Sequence, residues 1–275
     1  MLHTKSWLWK LAILLWSTSV VAVYANTETG SAPVTYNEQL ARSVYKGTIS
    51  GFKIEMVRTL TQIDEHRYVL KSEAKNLFAS IKEVSEFQIK DNSLYPSQYT
   101  YERRLFGRST TEKISFDWTA MRAFYTRSDR PQNDTTHAIK AGFLDPALYQ
   151  LALQADLATQ ETDLVYEFVK RKRLEHYNFK ALANESFSVQ KHNYDSLVVL
   201  RENDEKDKIT RLWVIPDLDY QVGQIRHTDD GDTYEIRLAE YQGNSAKLKQ
   251  LYQIISRAPL ASASPTEATP GVDGQ

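Results

Sequence analysis

KITRLWVIPDLDYQVGQIRHTDDGDTYEIRLAEY, residues 208–241, reads as three antiparallel strands joined by two turns. Over 208–215, Ile209, Arg211, Trp213 and Ile215 fall on one face and Leu212 and Val214 on the other, the period-two alternation of a strand. Pro216-Asp217 marks the first turn, and 220–227 forms the second strand. Asp229-Asp230-Gly231-Asp232 signals a hairpin, because glycine and aspartate tolerate the positive φ of a tight reversal. The third strand, 233–241, sets Tyr234, Ile236 and Leu238 against Glu235, Arg237 and Ala239.

The same grammar extends upstream. Strands are expected over 34–46, 52–62, 67–76, 79–90, 94–106, 110–118 and 121–126, with a turn bracketed by Gly47 and Gly51 and others at Asp64-Glu65 and Asp91-Asn92. Residues 129–136 read as a loop. Strands resume over 163–170, 174–183 and 187–201, and the run Lys170-Arg171-Lys172-Arg173 reads as a solvated hairpin tip. One mid-chain helix, 145–155, interrupts them. Asp145 can cap it, Pro146 suits its first turn, and Leu144, Leu148, Leu151, Ala152 and Ala155 form a stripe at helical spacing. A sheet of about a dozen long strands must curl, close or split to protect its edges. The expected fold is therefore mostly all-β: a long antiparallel meander forming a strongly curved sheet or open barrel, with the one mid-chain helix against it. A β-sandwich is the alternative.

The N-terminus reads as an export address. Lys5 and Lys10 precede the apolar run LAILLWSTSVVAVYA, which ends Val23-Tyr24-Ala25 with a small residue at the cut, so cleavage between Ala25 and Asn26 is expected. No basic stop-transfer cluster follows, so no membrane span is expected after processing. The organisation is then a signal peptide at 1–25, a polar spacer at 26–33, a single β-rich domain at 34–243, a short amphipathic helix at 244–256 and a disordered Pro/Ala/Ser/Thr tail at 257–275. Loss of the leader takes the formal charge from -1 to -3, a poor footprint for nucleic acid. The chain has no cysteine, which rules out disulfides, thiolate chemistry and a lipoprotein anchor. The expected location is the periplasm.

Several segments together resemble a known family. Leu94-Tyr95-Pro96 precedes a Tyr-rich strand, and Phe116-Asp117-Trp118 follows. Leu144-Asp145-Pro146 opens the helix, Tyr177 and Phe179 precede Glu185, and Leu212-Trp213-Val214-Ile215-Pro216-Asp217-Leu218 leads into Ile225-Arg226. In this order and spacing they resemble the bacterial exported family known as domain of unknown function 3108, over about residues 36–241. Family members tend to place Leu-Pro-Val where this chain has Gln221-Val222-Gly223. The resemblance implies a signal peptide, an envelope location and a β-rich fold; it implies no activity and transfers no catalytic residue.

Catalytic motifs are missing from the sequence. There is no GxSxG, P-loop or GxGxxG, and His66, His137, His176, His192 and His227 show no metal-ligand spacing, so neither catalytic residue, metal nor cofactor is assigned. Glu83 and Ser85 share a face with Ile81 and Phe87, which suits either a polar lumen or an edge strand. Tyr95, Tyr99, Tyr101, Trp118 and Trp213 are the candidate ligand-binding set if the sheet curves around them; otherwise they pack the core between sheet and helix. The favoured function is non-catalytic binding of a lipid or other apolar envelope component, or of an envelope protein. The alternative is a periplasmic hydrolase acting on cell wall or glycan.

Overall fold

A computed structural model describes residues 37–49, 52–76, 79–202 and 208–255. The expected signal peptide, its cleavage point, the spacer and the tail lie outside the described residues. Two meanders make one sheet. The first is β1 (Glu38–Ile49), β2 (Phe52–Gln62), β3 (Arg67–Lys75), β4 (Ala79–Lys90), β5 (Ser93–Leu105), β6 (Arg108–Asp117), β7 (Arg122–Arg127) and β8 (Thr135–Ala138), each antiparallel to the next. The second is β9 (Val165–Lys170), β10 (Arg173–Ala181), β12 (His192–Glu202), β13 (Lys208–Ile215), β14 (Gln221–Asp229) and β15 (Asp232–Gly243), with β11 (Glu185–Val189) paired to β12 off the main path. The β1–β15 ladder joins the two meanders.

Alternation places the core. In β3, Tyr68, Leu70, Ser72 and Ala74 are buried while Arg67 and Lys75 are exposed, so each strand turns one face to a common interior. The β14–β15 reversal passes through Asp230 (φ 52°) and Gly231 (φ 85°), the paired positive φ of a two-residue hairpin turn. Gly47 lies inside β1, not at the turn expected there. A Cβ on it would overlap the Glu235 carbonyl oxygen of β15, so only glycine lets the two strands approach. Gly47→Ala is expected to lose about 1–3 kcal/mol of stability, read from the midpoint of urea unfolding.

The sheet curls until its end strands, β8 and β9, approach each other, and among the described strands only β11 lies off this single path. Leu144, downstream of β8, bridges the remaining gap. Its N–H donates to Glu167 O (2.9 Å) and its carbonyl accepts from Val169 N–H (3.1 Å), a parallel bridge onto β9. Side chains fasten the same seam. Glu112 of β6 takes Arg127 Nη1 at 3.4 Å on one oxygen and Arg171 Nε, from the β9–β10 turn, at 3.2 Å on the other. The result is a nearly closed antiparallel barrel.

Two helices complete it. Helix α1 (Leu148–Ala158) is buried almost all round, and α2 (Ser245–Ile255) covers it with Leu248, Leu251, Tyr252 and Ile255. The first begins three residues later than expected, but Asp145 still caps it: Oδ1 accepts the N–H groups of Ala147 and Leu148 at 2.8 and 3.0 Å. Two other expectations fail locally. Residues 187–201 are not one strand but the β11–β12 hairpin, reversed through Gln190 at φ 55° without glycine, proline or asparagine to announce it. The loop expected at 129–136 contains the start of β8, a short edge strand whose Thr135-Thr136 carries no apolar alternation.

Candidate functional site

The barrel is hollow. Its lumen has a volume of about 110 Å³, is partly open to solvent, and receives side chains from both meanders and from the start of α1. An apolar engineered cavity of roughly 150 Å³ admits benzene, so the enclosed part of this space takes a group of about that size or smaller, and a longer chain extends through its opening. Met56, Ile114, Phe168, Leu212, Val222 and Ile225 supply apolar wall. Tyrosines supply much of the rest, and Pro146, Tyr149 and Gln150 close the α1 end.

Ionised side chains enter this wall in phase with apolar ones. Arg58 lies between Met56 and Leu60 on one face of β2, and Lys170 follows Tyr166 and Phe168 on one face of β9. Arg58 donates to Gln150 Oε1 (2.6 Å) and to Ala147 O (3.1 Å), tying β2 to the start of α1. Lys170 Nζ donates to the Tyr177 hydroxyl at 2.9 Å, and the Arg201 guanidinium stacks 4.3 Å from the same ring. Tyr177 in turn meets Tyr149 and Phe168 edge-on, at 5.3 and 4.7 Å. Lys170 and Arg171 thus turn inward from a run expected to be solvated; only Lys172 and Arg173 remain exposed at the tip.

Burial sets the electrostatics. It pushes the Glu83 carboxyl up, against the Tyr99 hydroxyl that donates to Oε1 at 2.6 Å and the nearby charges of Arg58 and Lys170. It holds Lys170 below the usual lysine range, with Arg201 and Arg171 acting in the same sense and Glu175 against them. Tyr125 rises to about 12, first through burial and then through Glu112. His227 is lowered by burial and shares a 2.8 Å hydrogen bond with Thr210. Behind the wall, Asp145 is raised to about 7 by burial although Ser85 Oγ donates to it at 2.5 Å. Glu83 and Ser85 therefore face the interior from a strand in mid-sheet. Among the described residues no cluster of His, Cys, Asp and Glu has the arrangement of a metal site, and no helix is long and apolar enough to cross a membrane.

Of the five aromatic residues singled out in the sequence, Tyr99 and Tyr101 line the lumen. Tyr95 does not. The β4–β5 register slips at Ser97, and this bulge leaves Leu94 and Pro96 buried in phase with Tyr99 and Tyr101. Tyr95 packs edge-on against Trp118 at 5.0 Å, and Trp118 Nε1 donates to Pro96 O at 2.8 Å. Trp213 points away from the lumen, opposite Leu212, with Arg211 and Arg226 near its ring and its Nε1 donating to Glu185 Oε2 at 2.8 Å. These three are packing residues. The sequence reading missed Arg58, Lys170, Tyr149, Tyr177 and Arg201. The usable signal for the first two was a lone cation in phase with an apolar face.

Residues 36–239 match the profile of the family described as Protein of unknown function (DUF3108). The chain belongs to this family. Within this DUF3108 chain, the segments Leu94-Tyr95-Pro96 and Phe116-Asp117-Trp118 meet around Trp118, which also stacks on Phe116 at 5.8 Å. No curated protein matches the chain. One solved structure is similar, a beta-barrel-like protein of domain of unknown function DUF1849 from Brucella abortus. Its TM-score is 0.46 at 8% identity, covering 74% of this chain and 97% of that one. In this DUF3108 barrel the glycine at 223 has a local reason. Gly223 is the extra residue where the β13–β14 register slips, and Ile215 and Phe187 pack so close that a Cβ would meet both.

Proposed function

We propose that the protein is an exported, non-catalytic periplasmic binder that holds a small amphiphilic envelope molecule inside its barrel. The observation that carries this reading is the lumen itself: a partly open cavity with apolar, tyrosine-rich walls and a few ionised groups set among them, the usual make-up of a small-molecule site. The basic N-terminal flank and apolar run at 1–25 support export. The hydrolase alternative needs two carboxylates free to exchange protons. Of the two that line the lumen, Glu83 is hydrogen-bonded to Tyr99, and Glu112 is held between Arg127 and Arg171. That arrangement favours holding a ligand over cleaving one.

Native mass spectrometry of the protein taken from the periplasm tests the proposal. The expected spectrum shows a chain beginning at Asn26 with a small molecule that dissociates on activation. A folded chain that carries nothing, and takes up nothing from an envelope lipid extract, would overturn it.

A further inference from the structure

Lys170 and Arg58 reach the lumen from β9 and β2, half a circuit of strands apart. Their hydrogen-bond partners are neutral: the Tyr177 hydroxyl for Lys170, and Gln150 Oε1 and the Ala147 carbonyl for Arg58. Among the described residues, neither has a carboxylate at ion-pair distance. Glu112 is engaged by Arg127 and Arg171, Glu83 is turned to Tyr99, and Glu175, which acts on Lys170 from beyond ion-pair distance, pairs with Arg173 at 3.5 Å. Both cations nonetheless act on Glu83, so both look onto one region of the lumen. Withdrawing a cation from water without an ionic partner is costly, and a guanidinium and an ammonium converging in a low-dielectric cavity are complementary to an anion. Arg201, stacked on Tyr177, adds to the positive potential there.

We propose that Lys170 and Arg58 hold the ligand by an anionic group, a carboxylate or a phosphate monoester, while its short apolar body lies against Met56, Leu212 and Ile225. This rests on reading the lumen as a binding cavity and adds the chemical class of what it binds. Tyr149 and Tyr177 offer hydroxyls to the same group, and the Arg58 fork suits a two-oxygen acceptor.

The test is calorimetric titration of the full chain with octanoate, octyl phosphate, octan-1-ol and inorganic phosphate. At least one anionic amphiphile is expected to bind about tenfold or more tighter than the alcohol. Which of the two it is identifies the head group. Lys170→Met is expected to erase that margin while changing octanol affinity by less than about twofold, and Lys170→Arg to keep most of it. The Lys170→Met barrel is expected to melt no lower than the wild type, since a desolvated charge has been removed. Should it fail to fold, the wild-type comparison of acid with alcohol still decides. Equal binding of octanoate, octyl phosphate and octanol would overturn the anionic subsite and leave the lumen reading standing. Failure of all three amphiphiles would overturn both. Inorganic phosphate binding as tightly as octyl phosphate would uphold the anion subsite and overturn the amphiphile.

Discussion

Glu112→Ala is expected to lower the unfolding free energy by about 3–5 kcal/mol, the usual penalty for stripping one member from a buried ion pair. Glu112 is 6% exposed, and its two oxygens serve different guanidiniums, Arg127 on its own meander and Arg171 on the other. Removing it takes from Arg171 the carboxylate it pairs with across the seam where β8 and β9 meet without a continuous ladder, while Arg127 keeps Asp129, whose Oδ1 accepts from its Nε at 2.6 Å. The loss is therefore both electrostatic and topological. Urea unfolding of the single variant, of Arg171→Met and of the double variant measures it. The double variant is expected to lose less than the sum of the singles, because the charge stranded by each change is absent from the pair. A single-variant loss below about 1 kcal/mol would mean that the clasp contributes no more than a surface pair.

The second large effect is on pH dependence. Burial raises Asp145 to about 7, whereas an unfolded aspartate titrates near 3.8. Between those two values the native chain binds a proton that the unfolded chain has released. Stability therefore falls as pH rises through this window and levels off above it. The shift corresponds to about 4 kcal/mol at 1.36 kcal/mol per unit. Asp145→Asn keeps an oxygen to accept from Ala147 and Leu148 N–H but carries no charge. It is expected to flatten the slope between about pH 4 and 7 and to gain on the order of 2–4 kcal/mol at pH 8. Asp145→Ala also removes the charge but forfeits the cap, worth about 1 kcal/mol. A residual slope of the same sign remains from Glu83, which burial also raises. Urea curves for wild type and Asp145→Asn across this range decide the matter, and identical slopes would refute it.

Most of the strand order was legible because period-two alternation is a local signal. β2, β4 and β13 fall where their side chains place them. Two kinds of information were not local. One is a bulge: the single extra residue at Ser97 reverses the phase of everything before it, which is how Tyr95 left the face that Tyr99 and Tyr101 occupy. The other is the choice of inside. Alternation separated Trp213 from Leu212 but gave no means of telling which met the lumen, and the larger ring lies on the outer side because β11 comes to cover it. The cationic positions were masked by a general expectation that Lys and Arg are solvated. In Lys170-Arg171-Lys172-Arg173 that expectation holds for the last two only: Lys170 ends a strand whose other inward positions are Tyr166 and Phe168, and Arg171, in the turn, is held inward by Glu112.

The ladder between β1 and β15 has a kinetic consequence. Ala41 lies opposite Gly243, so partners about two hundred residues apart in sequence must find each other before the circle can shut. Hairpins within each meander form cheaply, because their loops are short. Joining the halves requires nearly the whole polypeptide, and such high contact order belongs to chains that fold over milliseconds to seconds. Until that meeting, one flank of β1 and one of β15 stay unpaired. During this interval the nascent molecule is open to mispairing with a neighbour, a hazard that the finished ring removes.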